Sequence, residues 1–174
     1  MVEDQLRLEK IFIREMQETD LPEVVEIERM SFSTPWSERS FFNEIYNPKS
    51  ISKVAVLKEA CSVQRVIGYI CANQVADEGH ILDLAVHPDF RRKGIARSLV
   101  RDIIEDLRED GCRFLYLEVR ASNNAAKELY SAFGFTIVGT RKKYYNEPIE
   151  DAVIMMLKAS TCAQGLAFFC TFFL

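Results

Sequence analysis

The stretch LDLAVHPDFRRKGIARSLV, Leu82 to Val100, decides the fold. It begins apolar, in Leu82, Leu84, Ala85 and Val86, as a strand that must stop at Pro88. It ends in a helix. From Gly94 to Arg108 the residues Ile95, Ala96, Leu99, Val100, Ile103, Ile104 and Leu107 recur at spacings of three and four, one apolar face. The bend between them, FRRKGIA, collects Arg91, Arg92, Lys93 and Gly94. A strand, a short loop and a helix start is where anions bind, because the first helical N–H groups are unpaired and the helix dipole is positive there. Gly94 and the small Ala96 let a ligand approach the backbone. A solvated charged turn is the plain alternative, and the bend alone leaves both readings open.

The rest of the chain frames this bend. KIFIRE (Lys10 to Glu15) alternates as a first strand. Asp20, Pro22 and Glu23 resemble a capping box, opening a short helix on Leu21, Val24, Val25 and Ile27. Ser37 is an N-cap candidate for a second helix carrying Phe41, Phe42 and Ile45. SKVAVL and RVIGYICANQVA read as adjacent antiparallel strands, and a DEG turn leads to HILDLAVHP. After the long helix, Gly111 is a natural stop. RFLYLEV is a strand, NNAAKELYSAF a helix, and FTIVGTRKKYY and DAVIMMLK two closing strands. The order β-α-α-β-β-β-α-β-α-β-β is that of an α+β or mixed α/β sheet with helices on its faces.

The totals set limits. The chain has 174 residues, room for one domain with a sizeable core. A net charge of −4 argues against a general nucleic-acid binder, so a local basic cluster is informative. The five cysteines form no C-x-x-C pair, so neither a disulfide framework nor a zinc site is indicated, no metal is called for, and a cytoplasmic setting is expected. The start, MVEDQLRLEK, is too charged for a signal peptide. The domain is placed at 1–160. The last fourteen residues, 161–174, are an uncharged apolar tail outside it, shorter than the roughly 20 residues of a spanning helix. Membrane association is not expected, and a monomer is.

Two residues carry candidate acid–base chemistry. In RFLYLEV, Phe114, Tyr116 and Glu118 project to one face and Leu115, Leu117 and Val119 to the other. A strand apolar on both faces is central and covered. A carboxylate there is costly unless paired or used, and burial raises its pKa, which suits a general base. The other reading is a strand-end glutamate paired with an arginine such as Arg120. Twelve residues on, Tyr130 is either a core tyrosine or a phenol able to give up a proton in the same cleft. Asn123 and Asn124 open this helix, where Asn is also an ordinary cap.

LDLAVHPDFRRKGIARSLV, LYLEVRASNNAAKELYSAFGF and RKKYYNEPIEDAVIMM together resemble the Gcn5-related N-acetyltransferase superfamily, and within it the bacterial ribosomal-protein-alanine N-acetyltransferases. The similarity runs from about Phe12 to Lys158. It implies a mostly antiparallel seven-stranded sheet, splayed between strands 4 and 5, with four helices on its faces. It also implies acetyl-CoA as donor and a protein N-terminal α-amine, that of a ribosomal protein, as acceptor. On this resemblance Leu84, Ala85 and Val86 meet the pantetheine arm and thioester through their backbone. Arg92, Lys93, Gly94, Ile95, Ala96 and Arg97 hold the pyrophosphate, and Asn123 contacts the cofactor. Glu118 is the general base and Tyr130 the general acid. Trp36, Tyr144 and Tyr145 lie where related enzymes wall the peptide entrance. Asp83, Glu147, Glu150 and Asp151 could favour a basic peptide by sign. Acetylation of a small-molecule amine and a non-catalytic CoA-binding module are the rival readings. Retention of Glu118 and Tyr130 speaks against the second.

Overall fold

The computed structural model describes residues 11–58 and 64–159. The tail at 161–174 and the domain boundary at 160 lie outside the described residues. Seven strands and four α-helices follow the expected order: β1 Ile11–Glu15, α1 Leu21–Ser31, α2 Glu38–Tyr46, β2 Ser50–Lys58, β3 Gln64–Val75, β4 Glu78–Val86, α3 Ile95–Glu109, β5 Phe114–Arg120, α4 Asn124–Ser131, β6 Thr136–Asn146 and β7 Ile149–Lys158. The strands form one sheet in the order β1-β2-β3-β4-β5-β7-β6. All neighbours run antiparallel except β4 and β5, which α3 joins by a crossover. No described helix is long and apolar enough to cross a membrane.

Each face of the sheet has its own core. On one, α3 lays Leu99, Ile103 and Leu107 against Ile67, Ile81, Leu115 and Leu117, and α4 adds Tyr130 beside Phe135. On the other, α1 and α2 bring Val24, Ile27 and Phe41 onto Val54, Val56, Tyr69 and Cys71. The helix ends follow local chemistry. Ser37 and Asn123 cap α2 and α4 by accepting from Ser40 N–H (3.1 Å) and Ala126 N–H (3.0 Å). Gly111, at φ +88°, ends α3: its N–H reaches the Arg108 carbonyl, and that of buried Cys112 reaches Leu107.

One cap differs from expectation. Asp20 makes no side-chain cap to α1. Its carboxylate turns back to accept from Gln17 N–H at 2.8 Å and to pair with Arg14 at 2.6 Å. A fixed guanidinium and a nearer amide outcompete the first-turn N–H groups of α1.

The seam between β4 and β5 positions the site. Their ladder has only four pairs, Glu78–Ile81 against Phe114–Leu117. It ends at a bulge: Cys71 faces Asp83 and Ala72 faces Ile81, so Leu82 has no partner on β3. The extra residue bends β4 and sharpens its twist. Beyond it β4 stays with β3 up to Val86 and β5 stays with β7 up to Arg120, so the two edges part. β5 also departs from expectation. Leu115, Leu117 and Val119 are buried under the helices, but Phe114, Tyr116 and Glu118 are only half-buried, so one face of this central strand is covered and the other opens toward the split.

Candidate active site

One side of the split is the parted edge of β4. His87 donates to the Ile67 carbonyl at 2.9 Å, and the alternation of an antiparallel ladder then turns the N–H groups of Leu84 and Val86 away from β3, into the split. These are not equivalent. The Leu84 N–H is taken by Asp83 Oδ1 at 2.8 Å, and the Val86 carbonyl accepts from Arg91 Nε at 2.9 Å. The Val86 N–H and the Leu84 carbonyl are the groups this edge presents.

At the end of β4 the chain turns into α3 through two left-handed residues, Arg92 at φ +63° and Gly94 at φ +82°. No side chain caps α3, and a Cβ built on Gly94 would meet nothing within 4 Å. Gly94 is therefore a glycine for its backbone conformation, and the space above it is open. The N–H groups of Ile95, Ala96 and Arg97 face that space without helical acceptors. The basic residues divide. Arg91 turns inward, bridging β4 to Ser31 Oγ of α1 at 3.1 Å. Lys93 folds onto the Asp89 carbonyl (3.0 Å) and lies 4.9 Å from the Phe90 ring centre. Arg97 lies over Phe133 at 5.6 Å, and Arg92 is exposed.

The other side is the half-open face of β5. Glu118, with its side chain 26% exposed, is held by Arg141 of β6 (Nε to Oε1, 3.0 Å). The partner suggested by the sequence, Arg120, is engaged elsewhere. The nearby Glu118 carboxylate, ahead of burial, pushes the pKa of the Tyr144 phenol up. Tyr130 is buried in α4, edge-on to Phe135 at 5.6 Å. Burial first, then the charges of Asp83 and Tyr145, raise its pKa, so it stays protonated and is near enough to both to feel them.

Two loops meet above this face. Trp36, between α1 and α2, packs on Phe41 at 5.3 Å. Tyr144 and Tyr145 stand edge to face at 5.2 Å near the β6–β7 turn. Arg120 ties the two loops together: it reaches the carbonyls of Glu147 (2.9 Å) and Pro148 (3.2 Å), Ser33 Oγ (3.3 Å), and the Tyr145 ring at 4.1 Å. Ser33 in turn donates to the Glu147 carbonyl at 2.5 Å. The acidic residues expected to attract a basic peptide are largely spent. Glu150 accepts from Ser122 N–H and Arg120, and Asp151 from Lys142 and Lys143 N–H; these bonds hold both carboxyls below the usual range. Asp83 points into the core beside Tyr69, at 3.2 Å from its hydroxyl. Asn123 spends its oxygen on the α4 cap, leaving its amide nitrogen for a ligand.

Sequence reasoning missed two participants. Glu28, buried in α1, shares the apolar spacing of Leu21, Val24 and Val25, a signal that could have exposed it. Arg141 sits in a strand broken twice in register, at Ile137/Gly139 and at Arg141/Tyr145, and nothing local pairs it with Glu118.

The β4–β5 seam parts and runs into a glycine-started helix, and comparison with known proteins assigns the chain a class. Residues 21–135 match the model of the acetyltransferase (GNAT) family, and the chain belongs to that family: it is an acyltransferase with acetyl-CoA as donor. Its relatives are more particular. The [ribosomal protein bS18]-alanine N-acetyltransferase of Salmonella typhimurium is 38% identical over 144 residues, covering 82% of this chain and 93% of that protein. The Escherichia coli (strain K12) protein described in the same words is 34% identical over 153 residues, 85% of this chain and 97% of its own. The crystal structure of the ribosomal-protein-S18-alanine N-acetyltransferase from Escherichia coli superposes with a TM-score of 0.77 at 32% identity, covering 91% of this chain and 99% of that one. Arabidopsis thaliana NAA60 in complex with acetyl-CoA shares the fold, with a TM-score of 0.75 at 23% identity over 85% of this chain and 98% of that one.

Proposed function

We propose that this protein transfers the acetyl group of acetyl-CoA to the N-terminal α-amine of a ribosomal protein, one beginning with alanine or serine. A cytoplasmic setting goes with that substrate. The observation that carries the reading is the parted edge of β4 feeding the uncapped start of α3, in a chain about as long as relatives named for this reaction.

The residues fit the donor. The N–H groups of Ile95, Ala96 and Arg97, with Arg92 and Lys93 nearby, suit the pyrophosphate. The Leu84–Val86 edge suits the pantetheine arm, whose amides can replace the missing ladder. A free α-amine has a pKa of about 7.7–8.0, so much of it carries a proton at neutral pH and cannot attack. Glu118, oriented by Arg141, takes that proton directly or through a water. The amine nitrogen then bonds to the thioester carbonyl carbon. The Val86 N–H is the donor for the oxyanion, since Asp83 already occupies that of Leu84. As the C–S bond breaks, Tyr130 gives its proton to the sulfur; the nitrogen then sheds its second proton, which restores the Tyr130 phenol, and Glu118 releases the first to solvent. Trp36, Tyr144 and Tyr145 wall the acceptor.

The test is incubation with acetyl-CoA and a peptide panel varying the first residues, read by mass. Peptides beginning Ala or Ser should gain one acetyl group on the α-amine. Modification confined to lysine side chains or to small amines would overturn the reading.

A further inference from the structure

Helix α1 carries a carboxylate where its apolar stripe calls for a leucine. Leu21, Val24, Val25 and Glu28 are all buried, and Glu28 is 1% exposed. A charge buried so deeply persists only if its oxygens are engaged. Both are. Oε1 accepts from the Trp36 backbone N–H at 2.7 Å, and Oε2 accepts from the hydroxyl of Tyr69, which is itself fully buried and edge-on to Phe41. The same hydroxyl lies 3.2 Å from Asp83 Oδ2, and Asp83 Oδ1 holds the Leu84 N–H. An unbroken line of polar groups thus runs from the backbone of the Trp36 loop, through three side chains on three elements, to the split edge of β4.

We propose that Glu28 is a positioning residue for the acceptor: through Trp36 N–H on one side and Tyr69–Asp83–Leu84 on the other, it registers the wall of the peptide pocket on the strand that presents the donor. This rests on the reading of the split as a site for acetyl-CoA and a peptide N-terminus. The line explains why a glutamate stands there. An apolar side chain would fill the space but leave the Trp36 amide and the Tyr69 hydroxyl without Glu28 as acceptor, and the Phe32–Trp36 segment would lose its tie to the core.

The network also favours a shared proton. One hydroxyl serves two carboxylates, and it donates to one at a time. Burial raises both carboxyl groups, and the Glu28 charge helps lift Asp83 to about 7. The other titratable groups that act here, Tyr69 and Cys71 from β3, Glu44 from α2 and Tyr130 from α4, are all acids. The bonds donated by Tyr69 and by the Trp36 and Leu84 amides pull the other way, toward the charged carboxylates, and burial outweighs them.

Trp36 is the only tryptophan in the chain, so its fluorescence reports on this loop alone. The experiment compares wild type with Glu28→Gln, Glu28→Leu and Tyr69→Phe by acrylamide quenching and by kinetics with each substrate varied. Glu28→Gln keeps an acceptor for Trp36 and a partner for Tyr69, and its peptide KM should stay within about twofold of wild type. Glu28→Leu should raise peptide KM on the order of tenfold, leave acetyl-CoA KM within about twofold, and expose Trp36 to quencher. Equal rises in both KM values, or a Glu28→Leu variant with wild-type peptide KM and quenching, would overturn the proposal. If Glu28→Leu does not fold, Tyr69→Phe decides, since it keeps the ring and loses the hydroxyl: a selective rise in peptide KM supports the proposal and unchanged kinetics refute it. If wild type acetylates no peptide, the function proposed above falls, while the quenching comparison still decides whether Glu28 holds Trp36.

Discussion

Replacing Gly94 by alanine separates the conformational role of the α3 start from its role in binding. Gly94 sits at φ +82°, ψ −2°, and an added Cβ would touch nothing within 4 Å. The cost is therefore backbone conformation alone, roughly 1–2 kcal/mol for an L-residue held left-handed. Gly111, at the other end of the same helix, has φ +88° and equally open surroundings, so Gly111→Ala carries the same cost far from the split. If the fold holds the loop in place, the cost appears as stability, about 2–8 °C in Tm for a chain of this size. If the loop relaxes, the ligand must restore it, and the cost appears as acetyl-CoA affinity, about 5- to 30-fold. Gly111→Ala should show only the first. Gly94→Ala should show the second, since in it the pyrophosphate must meet both a shifted backbone and a new methyl group. Thermal unfolding and calorimetric titration with acetyl-CoA measure the two parts. Equal affinities in the two variants, or an equal loss in both, would refute the assignment of the pyrophosphate to this turn.

Three further outcomes follow from the same geometry. Glu118→Gln should lower kcat by about 10²- to 10⁴-fold, with acetyl-CoA affinity within about twofold of wild type; an unchanged rate across pH would remove Glu118 as the base. Arg92→Ala should weaken acetyl-CoA binding at low salt and match wild type at about 1 M salt, where screening shortens to about 3 Å; a salt-independent loss would mean a packing role instead. Asp83→Asn should raise Tm, and more at pH 8 than at pH 5. The folded carboxyl holds its proton more tightly than the unfolded chain does, so its contribution is lost as pH rises from 3.8 toward about 7, and the amide, which can accept from Leu84 and donate to Tyr69, removes that loss. Equal Tm changes at the two pH values would show that Asp83 titrates normally.

What could be read in the sequence was what local pattern encodes. The Leu82–Val100 stretch announces a strand, a bend and a helix because period, proline and glycine all act within a few residues. The face of β5 that carries Glu118 follows from alternation alone. What could not be read depends on neighbours far along the chain. Arg141 takes the place at Glu118 that the sequence suggested for Arg120: β6 arches between Arg141 and Tyr145, where Asp151 holds Lys142 and Lys143 N–H, and Arg120 reaches Glu147 and Pro148 instead. The acidic residues near the entrance look like an attractive field by sign, but their hydrogen bonds, not their charges, decide what a peptide meets. Leu84 has the right backbone for a thioester contact, yet the side chain before it claims the N–H first.

The four-rung seam divides this one sheet into two plates. β1 to β4 form the larger plate and β5 to β7 the smaller, with α3 lying across as a strap. Where the plates part, β4 leaves the Val86 N–H and the Leu84 carbonyl unpaired with β5, and a ligand chain laid between the plates would supply the cross-links that the polypeptide omits. Stiffness at that end would thus come with the donor and leave with it. The amides flanking the opening should alternate between fast and slow hydrogen exchange in step with turnover, a rhythm set by a missing piece of secondary structure.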